Sequence, residues 1–219
     1  MPSVLSYEEA RRAYDRIGSL QDSQAFYEDR ATDMLLRHGH FDSAEAVFEF
    51  GCGTGRFALR LFTEFLSLNA CYRGVDISPK MVSLAQVRLA PYSARAQVIL
   101  TEGEPPVDEP ADSCDRFMSN YVFDLLSEQD IRDVLREARW MLRLDGLLCL
   151  LGLSTGVGPL SRTVAKFWTW IQAHRPSAVG GCRPVDLLPF LPASAWQVRH
   201  HAKLVVFGIT SEALVAQRR

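Results

Sequence analysis

Residues 47–57, Val47-Phe48-Glu49-Phe50-Gly51-Cys52-Gly53-Thr54-Gly55-Arg56-Phe57, constrain the fold more than any other stretch. Apolar residues run into an acid, three glycines alternate with small residues, and an apolar-periodic helix follows. The pattern reads as strand, tight turn and helix N-terminus. Glycine takes positive φ at no steric cost and lets a ligand approach the backbone with no Cβ in the way. A helix beginning near Arg56 aims free N–H groups above the loop, which suits a carboxylate or phosphate. Open α/β sheets hold nucleotide-like ligands in this way.

Further strands follow at α/β spacing: residues 71–75 ending in Asp76, residues 96–101 ending before Glu102-Gly103, residues 115–120 ending in Asn120, and an apolar run over 147–153. Helical periodicity marks residues 56–68, 80–90 and 163–173, with Phe57, Leu61, Phe65 and Leu68 as the core face of the first. Ser127 opens another helix, and residues 143–146 read as a turn. Before the sheet, residues 6–17 and 22–38 read as two helices. After it, residues 179–184 read as a turn and 185–191 as a short helix, and residues 196–204 and 206–217 as a closing hairpin. The acids Asp108, Glu109 and Asp112 read as a solvated turn. Adjacent His200 and His201 point to opposite faces of a strand and do not chelate.

At 219 residues the chain suits one α/β domain. A net charge of −2 with no basic run argues against a nucleic-acid surface. The five cysteines (52, 71, 114, 149, 182) form no C-x-x-C pair, which points to a reduced, cytoplasmic protein without a metal site. No signal peptide is visible, and no apolar run is long enough to cross a bilayer. A carboxylate at a buried strand end, Glu49, needs partners or a ligand. Asp76, at the end of the second strand, can accept both hydroxyls of a ribose, or it can serve as a cap displaced from Ser78.

The loop reads G-x-G-x-G with an acid two residues upstream, not the G-x-G-x-x-G of a dinucleotide site. E-F-G-C-G-T-G resembles the first motif of the class I S-adenosyl-L-methionine (SAM)-dependent methyltransferases. Tyr14-Asp15 resembles a Tyr-Asp pair near the start of the ubiquinone/menaquinone-biosynthesis type. The resemblance spans roughly residues 44–217. It implies a Rossmann-like seven-stranded, mostly parallel sheet with an antiparallel last strand, helices on both faces and an N-terminal helical cap. It also implies one domain of four parts: the cap (1–40), a SAM-binding core (44–155), an acceptor cover (156–195) and the terminal hairpin (196–217).

By the same resemblance SAM rests on Glu49, Gly51, Cys52, Gly53, Thr54 and Gly55. Its ribose is held by Asp76, its adenine lies against Ile77 and Met81 and near Glu102 and Gly103, and Asn120 stands near its amino group. Tyr121 and Asp124, just beyond the fourth strand, are the candidate catalytic groups. Tyr14, Tyr27 and Arg183 are the candidate acceptor contacts. The activity implied is methyl transfer to a small apolar or amphipathic molecule by proximity and desolvation, in a monomer or homodimer. Two other readings stay open: an NAD(P)-dependent oxidoreductase, because an acid about 20 residues past the glycines also fits that fingerprint, and a SAM-binding protein that transfers nothing.

Overall fold

The computed structural model describes residues 4–103, 109–174 and 181–219. Val179 and Gly180 of the expected turn, and Asp108 of the acidic loop, lie outside them. The chain runs α1 (Tyr7–Ile17), a 3-10 segment (Gly18–Gln24), α2 (Ala25–His38), β1 (Ala46–Phe50), α3 (Arg56–Glu64), β2 (Cys71–Asp76), α4 (Pro79–Arg88) and β3 (Ala96–Leu100). It continues through β4 (Cys114–Asn120), α5 (Glu128–Met141), β5 (Leu142–Leu153), α6 (Pro159–His174), β6 (Trp196–Val206) and β7 (Ile209–Arg218).

The seven strands form one sheet in the order β3-β2-β1-β4-β5-β7-β6. β1 to β5 are parallel, and β7 lies antiparallel between β5 and β6. The strand order reverses between β1 and β4. At such a switch point the loops leave in opposite directions and open a crevice at the carboxyl ends of the strands.

Period-two alternation sends the two faces of the sheet into separate cores. Val47, Cys149, Leu151 and Val215 pack with Ala31 and Leu35 of α2 and Leu61 of α3. Phe48, Phe117, Leu148 and Leu150 pack with Ile131, Val134 and Ala138 of α5. Ser6 and Ser127 each form a reciprocal capping box, with Glu9 and Asp130, and fix where α1 and α5 begin.

Several boundaries differ from the sequence reading. α3 ends at Glu64 because the N–H groups of both Phe65 and Leu66 turn back to the Leu61 carbonyl (3.0 and 2.8 Å). Leu66 thereby fills the core place expected of Leu68, which is 87% exposed. Residues 22–24, expected to begin the second helix, belong instead to the 3-10 segment, where the Asp22 carboxylate is bound by Thr54 and Arg88. Residues 143–146 are a bulge inside β5: Leu142 pairs with Cys114 and Leu147 with Arg116, so the residues between are out of register with β4, and Asp145 takes φ 67°. The expected helix over 185–191 shrinks to a 3-10 turn (Leu188–Phe190), because Val185 hydrogen-bonds to Leu153 as a strand extension would. Glu109 is not solvated, since both its oxygens accept from Arg73 at 2.6 Å. Asp112 pairs with Arg218.

Candidate functional site

The crevice at the switch point is real. A cavity of 330 Å³ lies over the carboxyl ends of β1, β2 and β4, roofed by α1. A second, of 110 Å³, adjoins it beneath the start of α2. Gln21, Gly51, Gly53, Asn120 and Tyr121 border both.

The glycine loop is built as the sequence requires: Gly51, Gly53 and Gly55 all have positive φ (76°, 52° and 73°). Their surroundings differ. A Cβ on Gly51 would strike Val122 at 2.3 Å and one on Gly55 would press Ala85 at 3.0 Å, whereas one on Gly53 would meet nothing within 4 Å. Gly51 and Gly55 are therefore glycines because of the protein around them. Gly53 faces open cavity, as a backbone cradle for a ligand does. Its N–H donates to Asp76 Oδ2 (2.8 Å) and the Ser78 N–H to Oδ1 (2.9 Å), so each carboxylate oxygen keeps room for another donor. Burial pushes the Asp76 carboxyl above its usual range, against these bonds. The cap of α4 is Ser78, whose hydroxyl accepts from Met81, so Asp76 is not that cap.

Ile77, Met81 and Gly103 line the larger cavity beside Asp76. Glu102 does not: it is exposed, and Thr101 and Gly103 on either side of it face inward. The polar residue that reads as a ligand contact therefore points away from the cavity. Cys52 and Thr54 border the smaller cavity, and Gly55 borders neither. Thr54 is tied to Asp22 and Arg88 at 2.6 Å each.

Glu49, 2% exposed, takes a hydrogen bond from the Tyr72 hydroxyl (2.5 Å) and one from Asn120 Nδ2 (3.4 Å). Burial outweighs both and lifts its carboxyl to about 8. Asn120 Oδ1 is buried with no hydrogen bond among the described residues, an acceptor waiting for a donor. Glu28 reaches the same smaller cavity from α2 with one oxygen unbonded, and burial lifts it to about 7.

The N-terminal cap is fastened directly to this machinery. Asp15 accepts from the Ser78 hydroxyl (2.6 Å) and the Lys80 N–H, and Asp22 binds Thr54 and Arg88. Tyr14 thereby lines the larger cavity, with its hydroxyl 3.8 Å from Cys182 Sγ. Tyr27 is buried behind it, edge-on to Tyr121 at 6.0 Å, and borders neither cavity.

The other expected groups sit elsewhere. Tyr121 faces both cavities with its ring, but its hydroxyl donates to Ser211 (2.9 Å) and burial drives its ionisation further out of reach, which does not suit a base. Asp124 turns away: one oxygen accepts from the Leu153 N–H, neither cavity includes it, and burial holds its carboxyl at about 7. Arg183 borders neither cavity. Its backbone N–H donates to the Asp124 carbonyl and its guanidinium to the Leu126 carbonyl, so it braces the loop after β4 rather than meeting a ligand there. Sequence reasoning missed Leu5, Tyr7, Thr101, Val122, Leu125 and Leu126, all of which line the larger cavity.

The sequence profile of a methyltransferase domain family matches residues 47–146. No curated protein matches the chain in sequence. Among solved structures, a geranyl diphosphate C-methyltransferase from Streptomyces coelicolor, bound to geranyl diphosphate and S-adenosylhomocysteine, is similar over 100% of both chains (TM-score 0.73, 11% identity). The N-methyltransferase NodS from Bradyrhizobium japonicum, bound to S-adenosylhomocysteine, is similar over 97% of both (TM-score 0.71, 14% identity). The [4+2]-cyclase SpnF is similar over 98% of this chain and 97% of its own (TM-score 0.72, 16% identity). At these identities the likeness is one of fold. The antiparallel strand between β5 and β6 separates this sheet from the 3-2-1-4-5-6 order of nicotinamide-binding domains. Domain profile and sheet order agree: residues 47–146 match a methyltransferase domain, and the whole chain has the fold of solved SAM-dependent methyltransferases.

Proposed function

We propose that the chain methylates a small apolar or amphipathic molecule, with Asp76 holding the ribose of SAM, Ile77 and Met81 its adenine, and Glu49 and Asn120 its amino-acid end. The observation that carries this reading is the cradle at Gly53, open to the cavity and set 2.8 Å from a carboxylate with acceptor capacity to spare. Thr101 and Gly103 replace Glu102 in the adenine wall. Bound SAM supplies an electrophilic methyl group on its sulfonium.

The chain's own contribution is alignment and exclusion of water. Leu5, Tyr7, Val122, Leu125 and Leu126 give the cavity an apolar wall that favours an apolar acceptor. Tyr14 and the ring of Tyr121 shape it, while Asp124 and Arg183 hold the loop that carries Val122. The four-part division of a single domain, with residues 156–195 as cover, belongs to the same reading. So do a cytoplasmic location, where five unpaired thiols stay reduced, and a monomer or homodimer. Among the described residues no helix is long and apolar enough to cross a membrane.

The test is SAM with a labelled methyl group, incubated with the protein and a panel of acceptors from isoprenoid alcohols and quinols to sugars and amino acids. Transfer confined to the apolar members is expected, and transfer confined to sugars or amino acids contradicts the acceptor class. A second reading, chemistry on this fold without methyl transfer, is favoured by the similarity to a protein named a [4+2]-cyclase. It requires SAM binding with no methyl transfer to any acceptor.

A further inference from the structure

Helix α6 turns Trp168 toward the core but carries Phe167 and Trp170 on the opposite side. Its inward face is marked by Ser161 and Gln172, both buried and three turns apart. The opposite face presents Phe167 (60% exposed) and Trp170 (57%), their rings stacked at 5.9 Å, with exposed Leu160 beside them. The patch extends beyond the helix. Phe207, at the β6–β7 turn, is 82% exposed, and neighbouring Gly208 sits against Val164 of α6. Exposed Phe26 at the start of α2 lies 6.0 Å from Phe207. Exposed aromatic side chains on three neighbouring elements mark an interaction site.

Charge indicates the partner. Helix α6 contains no Asp or Glu but does contain Arg162 and Lys166, in a chain whose net charge is −2. Arg162 and Lys166 flank the aromatic face on the exposed side of α6. Cations interleaved with Trp, Phe and Leu on one exposed helix are the composition of an element lying in a lipid headgroup region. A twofold contact with a second copy through this face would bring both copies' Arg162 and Lys166 into one interface, with no Asp or Glu on α6 to offset them.

The patch is also joined to the site. Phe207, Phe26, Tyr27 and Tyr121 form a chain of ring contacts (6.0, 5.1 and 6.0 Å) ending beside the cavity. We propose that the outer face of α6, with Phe26 and Phe207, docks reversibly on an anionic lipid surface. The inference stands apart from methyl transfer, since it concerns where the protein rests and not what it catalyses.

The test is flotation of the full chain with vesicles of phosphatidylcholine alone and of equimolar phosphatidylcholine and phosphatidylserine, with light scattering on the lipid-free protein. The paired variants Phe167→Gln/Trp170→Gln and Arg162→Gln/Lys166→Gln change only exposed residues. Unchanged melting and unchanged S-adenosylhomocysteine binding establish that they remain folded. Binding to the anionic vesicles, weakened about tenfold on the neutral ones and about tenfold by each paired variant, is expected. Absence of the wild type from the floated anionic vesicles overturns the proposal. Binding that both variants retain in full also overturns it, as does a dimer in solution that Trp170→Gln dissociates.

Discussion

Replacing Gly53 and Gly51 separately by alanine distinguishes a ligand cradle from a tight turn. Both have positive φ (52° and 76°), so either alanine costs about 1–2 kcal/mol in backbone strain. For Gly53→Ala that is the whole cost to the fold, because its Cβ meets nothing within 4 Å. For Gly51→Ala the Cβ arrives 2.3 Å from Val122 Cγ2, a β-branched side chain with little rotamer freedom, and overpacking adds about 1–3 kcal/mol. At about 2–4 °C per kcal/mol for a chain of this size, Gly53→Ala lowers the melting temperature by a few degrees and Gly51→Ala by about twice as much. Ligand binding reverses the order of the two where it matters. The harmless methyl at Gly53 occupies the space a ligand backbone contact needs, so S-adenosylhomocysteine affinity falls at least about tenfold, or about 1.4 kcal/mol. Differential scanning fluorimetry and calorimetry on the two variants measure both quantities. A Gly53→Ala protein that binds the ligand with wild-type affinity refutes the reasoning.

Other outcomes follow from particular residues. Glu49, lifted to about 8 by burial, is protonated in the folded protein and ionised in the unfolded chain between about pH 4.5 and 8; the folded state binds the extra proton, so stability falls as pH rises through that window. Glu49→Gln flattens the profile in urea unfolding between pH 5 and 8, and an unchanged slope contradicts the assignment. If an ammonium group of the ligand ionises Glu49, ligand binding at pH 7 releases a proton, and the binding heat varies with the ionisation heat of the buffer in the wild type but not in Glu49→Gln. Tyr121→Phe removes only the bond to Ser211 and costs about 1 kcal/mol. Methyl transfer then stays within about tenfold, whereas a loss of about 10²–10⁴ identifies a general base after all. Fully buried Glu212 accepts from the Leu187 N–H (2.8 Å) and pairs with His201 (2.6 Å), so Glu212→Ala costs about 3 kcal/mol in chemical unfolding; a change below about 1 kcal/mol contradicts that role.

The parts of this structure legible in the sequence are those set by local chemistry. Three glycines between an apolar strand and a helix fix the loop, and Asp76 and Asn120 at strand ends fall at the edge where a switch point opens. Ile77, Met81 and Gly103 follow from that edge. What stayed hidden depends on contacts between distant segments. Nothing in the local sequence marks Leu5 or Tyr7 as cavity residues; the docking of α1, held by Asp15 on Ser78, brings them over the cavity. Glu102 lies past the end of β3, where the chain bends at Gly103 (φ 88°), and its outward direction is not written in the strand's alternation. Asp124 and Arg183 carry the charges a site needs, but each bonds to a backbone group, Asp124 to the Leu153 N–H and Arg183 to the Leu126 carbonyl, and nothing in their local sequence announces those partners. Leu68 lost its core place to Leu66 because the end of α3 depends on where the chain must turn toward β2.

The central claim is that the Gly53–Asp76 edge holds SAM. Calorimetric titration of the protein with S-adenosylhomocysteine, repeated on Asp76→Ala and with NAD(H) as the alternative ligand, tests it most directly. Saturable binding of S-adenosylhomocysteine that collapses in Asp76→Ala, with no heat from NAD(H), is the result the account expects. Binding that survives the loss of Asp76 unchanged, or NAD(H) binding in its place, contradicts it.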